Sequence, residues 1–155
     1  MTTAHVGDST SSGRMLQTQV RIAAPASRVW QVLIDFPRYP EWNPFITEIE
    51  GVTEEGARLR VRIQSPGRKP MTFKPTVIVV TRDRELRWLG HLYLPGLFDG
   101  EHSFRIEDKR RNCRFHQSER FSGVLVRLFG TGVFEATERG FEAMNSALKV
   151  RVEAG

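Results

Sequence analysis

The chain has 155 residues, the length of one ordinary domain, and its 39% hydrophobic and 26% charged residues are typical of a soluble globular protein. The net charge is +5, but 18 acidic residues are interspersed among 23 basic ones without a recognition motif, so we expect no nucleic-acid partner. The longest aliphatic run, Val77–Val80, is too short to form an integral membrane segment. With one cysteine and no visible secretory signal, these features favour a cytoplasmic location.

The first part of the chain predicts a tail, a strand and a helix. Residues 1–14 are rich in Ser, Thr and Gly and lack apolar periodicity, so we expect a disordered tail followed by a single domain over 15–155. Met15–Ile22 is predicted as the first strand. A helix should follow from Pro25, at the first helical position, to about Phe36.

A proline-rich segment comes next, from Phe36 to Phe45. Its prolines forbid a long regular element, but a single helical turn at Arg38–Trp42 fits the pattern. The aromatic residues of this segment should pack onto something apolar. We therefore expect Trp42 to anchor the segment and to close one end of any interior cavity.

The middle of the chain predicts strands and the end predicts a long helix. Apolar residues at steps of three and four follow Gly130 and Gly132, which mark a break, and Val124–Phe129 suggests a helical turn before it. Short links between the strands indicate antiparallel hairpins. The predicted strands are Ile46–Glu50, Arg58–Ile63, Met71–Val80, Glu85–Leu94, Phe98–Glu107 and Arg114–Phe121.

This order of elements predicts an α+β fold. A seven-stranded antiparallel sheet must twist and curl, and the long C-terminal helix can bury its apolar stripe against the concave face. Space left between the helix and the sheet would form an elongated cavity lined by inward-facing strand residues.

Several motifs resemble one protein superfamily. The most specific is the segment Tyr39–Phe45, and the resemblance extends over nearly the whole of Met15–Glu153. The chain is similar to the START and pollen-allergen-like superfamily, also called SRPBCC, which implies the helix-grip fold. The superfamily includes lipid carriers, hormone receptors, polyketide cyclases and co-chaperones, so the resemblance alone does not give a function. The other matching residues are Pro25, Val29, Trp30, Leu33 and Asp35, then Leu86–Trp88, Gly100–Phe104, Phe141–Asn145 and Leu148–Lys149.

Strand alternation predicts what faces the cavity. The inward sets are Phe98, Gly100, His102, Phe104 and Ile106; Phe115, Gln117, Glu119 and Phe121; and Leu86, Trp88, Gly90, Leu92 and Leu94, although the opposite face of this last strand is an alternative. His102 and the Gln117/Glu119 pair lie on successive strands, so they could be neighbours in an otherwise apolar pocket.

We expect these polar groups to meet a ligand whose hydrocarbon body lies against aromatic residues. The alternative is that His102 and Glu119 are a structural pair and that Trp42 belongs to the core. The predicted ligand-binding residues are Trp42, Phe45, Trp88, His102, Phe104, Gln117, Glu119, Phe134, Phe141 and Met144.

No cofactor or metal is predicted. His5, His91, His102 and His116 have no ligand-like spacing, and phosphate-binding glycine loops are missing from the sequence. Cys113 lies in an arginine-rich turn, where it is either an ordinary turn cysteine or an exposed thiol with a lowered pKa.

The sequence favours binding or carriage of a hydrophobic small molecule, such as a lipid, an isoprenoid or an aromatic metabolite. An enzyme of the polyketide cyclase or dehydrase type, with His102 and Glu119 transferring protons, is the alternative. A co-chaperone-like interaction module is a weaker one.

Overall fold

A computed structural model describes residues 13–92 and 94–155. Strand β1 (Gly13–Ile22) begins two residues earlier than predicted, and the rest of the expected tail, residues 1–12, lies outside the described residues. Leu16 and Ile22 face the interior as expected. Thr18 shares their face and is fully buried.

Two short helices follow β1. Helix α1 (Ala26–Ile34) begins one residue later than predicted, because Pro25 has an extended conformation and acts as the N-cap. A 3₁₀ turn (Phe36–Arg38) leads into the single turn α2 (Tyr39–Trp42), which confirms the predicted helical turn. The Tyr39 hydroxyl donates a hydrogen bond of 2.7 Å to the carbonyl of Leu33 and ties α2 to α1.

The strands form two antiparallel sheets, with orders β1-β8-β7-β6-β5 and β2-β3-β4. One strand was predicted over Met71–Val80, but Pro75 divides it because proline has no N–H to donate to the ladder. The sheets remain linked, since Arg58 bridges Thr76 and the Leu59 N–H donates to the Pro75 carbonyl. The strands after β1 are β2 (Ile46–Glu50), β3 (Arg60–Ile63), β4 (Met71–Phe73), β5 (Thr76–Thr81), β6 (Glu85–Leu92), β7 (Phe98–Asp108) and β8 (Cys113–Ser122).

Strand β2 departs from simple alternation. The register shifts between Ile46 and Glu48, so Ile46 and Ile49 are both buried. Alternation alone had placed Thr47 with Ile49 on one face. The arginines of β3 form the expected solvated outer face, where Arg60 lies 3.8 Å from the Glu48 carboxylate.

The long helix α3 (Thr131–Glu153) lies against β1 and fills much of the interior. Gly130 is its N-cap, and a 3₁₀ turn (Val126–Leu128) precedes it as expected. Asn145 donates a 2.8 Å hydrogen bond to the Thr18 hydroxyl, which gives two buried polar side chains a partner. The predicted apolar stripe is buried at Phe134, Phe141, Met144 and Leu148. Among the described residues, no helix has the length and apolar character needed to cross a membrane.

Two expectations about residues at strand ends are wrong. Strand β6 ends at Leu92, and Leu94 is 66% exposed rather than facing the interior. Cys113 is fully buried, because it is the first inward position of β8. Burial, together with the Asp108 carboxylate, raises the pKa of the Cys113 thiol to about 11.

Cys113 should therefore resist alkylation in the folded protein. At pH 8 the thiol stays protonated and shielded, so iodoacetamide should modify it far more slowly than in urea. Because the folded-state pKa lies above the unfolded one, this group's contribution to stability is present below the unfolded pKa and is lost as the pH rises toward about 11. Mass spectrometry of the labelled protein measures the rates. Equal rates in buffer and in urea would contradict the buried placement.

Candidate functional site

A cavity of about 60 Å³ lies between the small sheet and the strands β6, β7 and β8. Its walls are mainly apolar, and its polar end is formed by His102 and Glu119. The lining residues are Ile46, Val61, Ile63, Phe73, Pro75, Trp88, Gly90, His91, Leu92, Phe98, Gly100, His102, Glu119 and Phe121.

The strand register brings the polar end together. His102 on β7 pairs with Trp88 on β6 and with Glu119 on β8, so three side chains stand side by side on the inner face. The imidazole stacks on Trp88, with ring centroids 5.1 Å apart, and meets the edges of Phe104 and Phe141. This packing holds the His102 ring in one orientation, with 4% of its side chain exposed.

Both ring nitrogens of His102 have partners. Nδ1 lies 3.1 Å from Oε2 of Glu119, and Nε2 lies 3.3 Å from the amide nitrogen of Gln117. The consistent assignment has Nδ1–H donating to the carboxylate and the Nε2 lone pair accepting from the Gln117 amide. The same amide donates to Sδ of Met144 at 3.4 Å, which connects the site to α3. With the Gln117 amide in this orientation, Nδ1 carries the proton.

Glu119 is the polar group that reaches into the cavity. Its side chain is 16% exposed, against 4% for His102. Oε1 lies over Gly100, where an added Cβ would stand only 2.5 Å away. The carboxylate thus occupies the space beside this glycine. Within residues 13–92 and 94–155, Oε1 has no hydrogen-bond partner, so the carboxylate presents a free acceptor to the cavity.

The cavity contains negative rather than positive side chains. None of its described lining residues is Arg or Lys. His91, another lining residue, has its Nδ1 2.6 Å from Asp99, whose carboxylate also accepts the Gly96 N–H at 3.0 Å. Although the chain has a net charge of +5, a ligand entering this cavity meets the carboxylate of Glu119. No group of three potential metal-ligating side chains occurs in the part of the chain that the structure describes.

The ten residues predicted to bind a ligand divide into four groups. Trp88, His102 and Glu119 line the cavity. Gln117, Phe104, Phe141 and Met144 pack behind them, and Phe45 and Phe134 belong to the deeper core. Trp42 lies away from the cavity, in an outer groove with Arg28 and Arg151. It therefore does not close the cavity in this structure.

The small sheet provides lining residues that the sequence did not mark as ligand-binding. Val61 and Ile63 come from β3, whose alternation had already placed its aliphatic residues inside. Phe73 and Pro75 come from the region where the predicted strand divides. The sequence signal that could have identified them is Phe73, an aromatic residue two positions before the strand-breaking Pro75.

A wider depression of about 900 Å³ lies between the start of α1 and the β5–β6 turn. Its walls carry both positive and negative side chains, including Arg82, Arg105 and Glu107. It is a charged surface groove, whereas the smaller cavity has the apolar walls and few polar groups that small-molecule sites have.

Comparison with protein families gives one match over most of the chain. The family described as polyketide cyclase / dehydrase and lipid transport matches residues 15–153. This agrees with the resemblance that the sequence motifs indicate. Comparison with curated protein sequences finds no significant match.

Solved structures show the same fold at low sequence identity. A START superfamily protein from Mycobacterium smegmatis is 21% identical, with a TM-score of 0.72 over 90% of this chain and 97% of that one. The Zhui aromatase/cyclase from Streptomyces sp. R1128 is 18% identical, with a TM-score of 0.72 over 91% and 94%. A norcoclaurine synthase from Thalictrum flavum is 17% identical, with a TM-score of 0.65 over 95% and 98%. These similarities establish the helix-grip architecture.

Proposed function

Because the chain belongs to the polyketide cyclase / dehydrase and lipid transport family, we propose that it binds a small, mainly apolar molecule whose polar group meets Glu119. The observation that supports this function is the apolar cavity with one His102–Glu119 pair at its end. Apolar walls provide affinity through burial, and the few polar groups orient the ligand.

The volume of the cavity favours a small ligand over a long-chain lipid. A cavity of about 60 Å³ is smaller than the roughly 150 Å³ that accommodates a benzene ring. Phe104 and Phe115 fill the deeper space between the large sheet and α3. We expect the ligand body to occupy the mouth, where the half-buried Phe73 and Leu92 side chains rotate aside.

Replacing Gly90 with a larger residue should block ligand binding in the cavity. An added Cβ at Gly90 meets Pro75 at 3.6 Å, an ordinary contact, so the strand accepts a side chain while Gly90→Leu fills the cavity. We expect phenol to bind this variant at least about tenfold more weakly than it binds the wild-type protein, a loss of about 1.4 kcal/mol. An NMR titration that follows the Trp88 signals measures the affinity.

Gly130→Leu is the matched control, because position 130 has open space around its Cβ and does not line the cavity. Native mass spectrometry of the purified protein would identify any small molecule bound during expression. If phenol causes no saturable shifts in the wild-type protein, or if Gly90→Leu binds it unchanged, the proposed site is wrong.

The free Glu119 oxygen supports a second candidate, an enzyme that removes a proton from its substrate. Oε1 can accept a proton from a ligand bound in the cavity, while the His102 N–H holds the other oxygen in place. The aromatase/cyclase and the norcoclaurine synthase are similar in fold, which permits this function without assigning it. Glu119→Gln separates the candidates, because turnover by an enzyme should collapse even at saturating substrate concentrations.

A further inference from the structure

The unpartnered oxygen of Glu119 determines which polar group a ligand can bring into the cavity. Oε2 accepts the His102 Nδ1–H at 3.1 Å, while Oε1 lies over the bare backbone of Gly100. Gln117 engages the remaining ring nitrogen of His102 at 3.3 Å, so the imidazole has no free nitrogen to offer. Among the described residues, the His102–Glu119 pair therefore presents a ligand with an acceptor, Oε1, and with no free N–H of the imidazole.

Filling the cavity changes the surroundings of that oxygen. An apolar ligand displaces water from Oε1. Removing water from a carboxylate oxygen without giving it a new hydrogen-bond partner costs much free energy. A ligand O–H or N–H restores the lost hydrogen bond as a charge-assisted one. A carboxylate on the ligand would instead bring a second negative charge beside Glu119.

The charges around the cavity act in the same direction. No Arg or Lys is present among its described lining residues, so none of them could pair with an acidic ligand. Of the two lining histidines, His102 faces the Glu119 carboxylate at 3.1 Å and His91 faces the Asp99 carboxylate at 2.6 Å. The whole chain has a net charge of +5, so overall charge would favour an acidic ligand, whereas the lining of this cavity offers no Arg or Lys to pair with one.

We propose that the cavity selects ligands bearing a hydroxyl or amine donor and rejects carboxylic acids, free fatty acids included. This inference rests on the proposed binding function and defines its ligand class. Phenols, alcohols and amines of about one ring are the expected occupants. The donor points at Glu119 Oε1 while the apolar body lies toward Trp88 and Phe121.

Three probes of matched size test the selection: phenol, anisole and benzoate. Phenol donates a hydrogen bond, anisole has the same ring without the donor, and benzoate carries the negative charge. We expect phenol to bind about ten- to a hundredfold more tightly than anisole, the range of a hydrogen bond to a charged group. Benzoate should give no saturable shifts at Trp88 in the NMR titration.

Glu119→Gln should bring the phenol and anisole affinities close together and should allow benzoate to bind, because the amide offers a donor. Glu101→Gln is the matched control, since Glu101 pairs with Arg87 on the outer face of β7. If Glu119→Gln fails to fold, Gly100→Ala serves instead. Its methyl group forces Oε1 to move, and the phenol-to-anisole ratio should fall.

The outcomes separate the two proposals. If none of the three probes binds, the binding function fails and the selection fails with it. If anisole or benzoate binds at the cavity as tightly as phenol, or if Glu119→Gln keeps the full phenol preference, the donor selection alone is wrong.

Discussion

Phe45→Ala should lower the free energy of unfolding by about 3–5 kcal/mol. The Phe45 side chain is fully buried and meets the edge of Phe141 with ring centroids 5.3 Å apart. Its backbone is fixed by Asn43, whose side-chain oxygen accepts the N–H groups of Phe45 and Ile46 at 3.0 and 2.9 Å. The surrounding structure therefore cannot collapse easily into the space that alanine leaves.

Gly140 provides the complementary test of this contact. An added Cβ at Gly140 would lie 2.3 Å from the Phe45 ring, so the glycine allows the ring to approach α3. Gly140→Ala should destabilise the fold, because overpacking costs about 1–3 kcal/mol and outweighs the roughly 1 kcal/mol that alanine gains in helix propensity.

Urea denaturation of the two single variants and the double variant measures the coupling between these positions. The double variant should lose less stability than the sum of the single losses, because the methyl group introduced by Gly140→Ala partly fills the space left by the ring. Strict additivity, or a stabilising Gly140→Ala, would show that the Phe45 ring does not pack on α3 as described.

His102→Phe should weaken both stability and ligand binding. The phenyl ring can keep the stack on Trp88, but Glu119 and Gln117 lose their partner inside the protein. Leaving such groups unpaired costs about 1–3 kcal/mol of unfolding free energy. Phenol affinity should fall as well, because the Glu119 carboxylate is no longer held in position.

His116→Phe is the matched control for this substitution. His116 lies on the outer face of the same hairpin, where its Nε2 is 3.3 Å from Oε2 of Glu107. Neither residue lines the cavity. Burial lowers the pKa of His116 despite this carboxylate, so the imidazole is neutral at neutral pH while Glu107 stays ionised. We expect phenol affinity to be unchanged. If His102→Phe lowers stability but leaves phenol affinity intact, the pair is structural.

The sequence predicted most of the polar site, because β7 and β8 alternate without interruption. That regular pattern placed His102 and Glu119 on one face, and the short link between the strands made them neighbours. Applied one step further, the same alternation would have placed Cys113 inside, since it continues the series of Phe115 and Gln117. The wrong prediction arose from assigning Cys113 to a turn.

Other features depend on interactions that no local pattern contains. The bulge in β2 and the division at Pro75 change which residues face the cavity, and both depend on how neighbouring strands pair. Trp42 lies in a segment without periodicity, so no local pattern indicates which way its side chain points. The contact between Gly100 and Glu119 joins two strands, so no pattern within either strand shows that the carboxylate fills the space beside the glycine.

A crystal structure of the protein soaked with phenol is the most direct test of the account. We predict electron density for the ring between Trp88 and Phe121, with the phenol oxygen within about 3 Å of Glu119 Oε1. Phe73 or Leu92 should have rotated away from the mouth to make room. The account would be contradicted if, at saturating phenol, electron density for phenol appeared only at other sites and this cavity was unchanged.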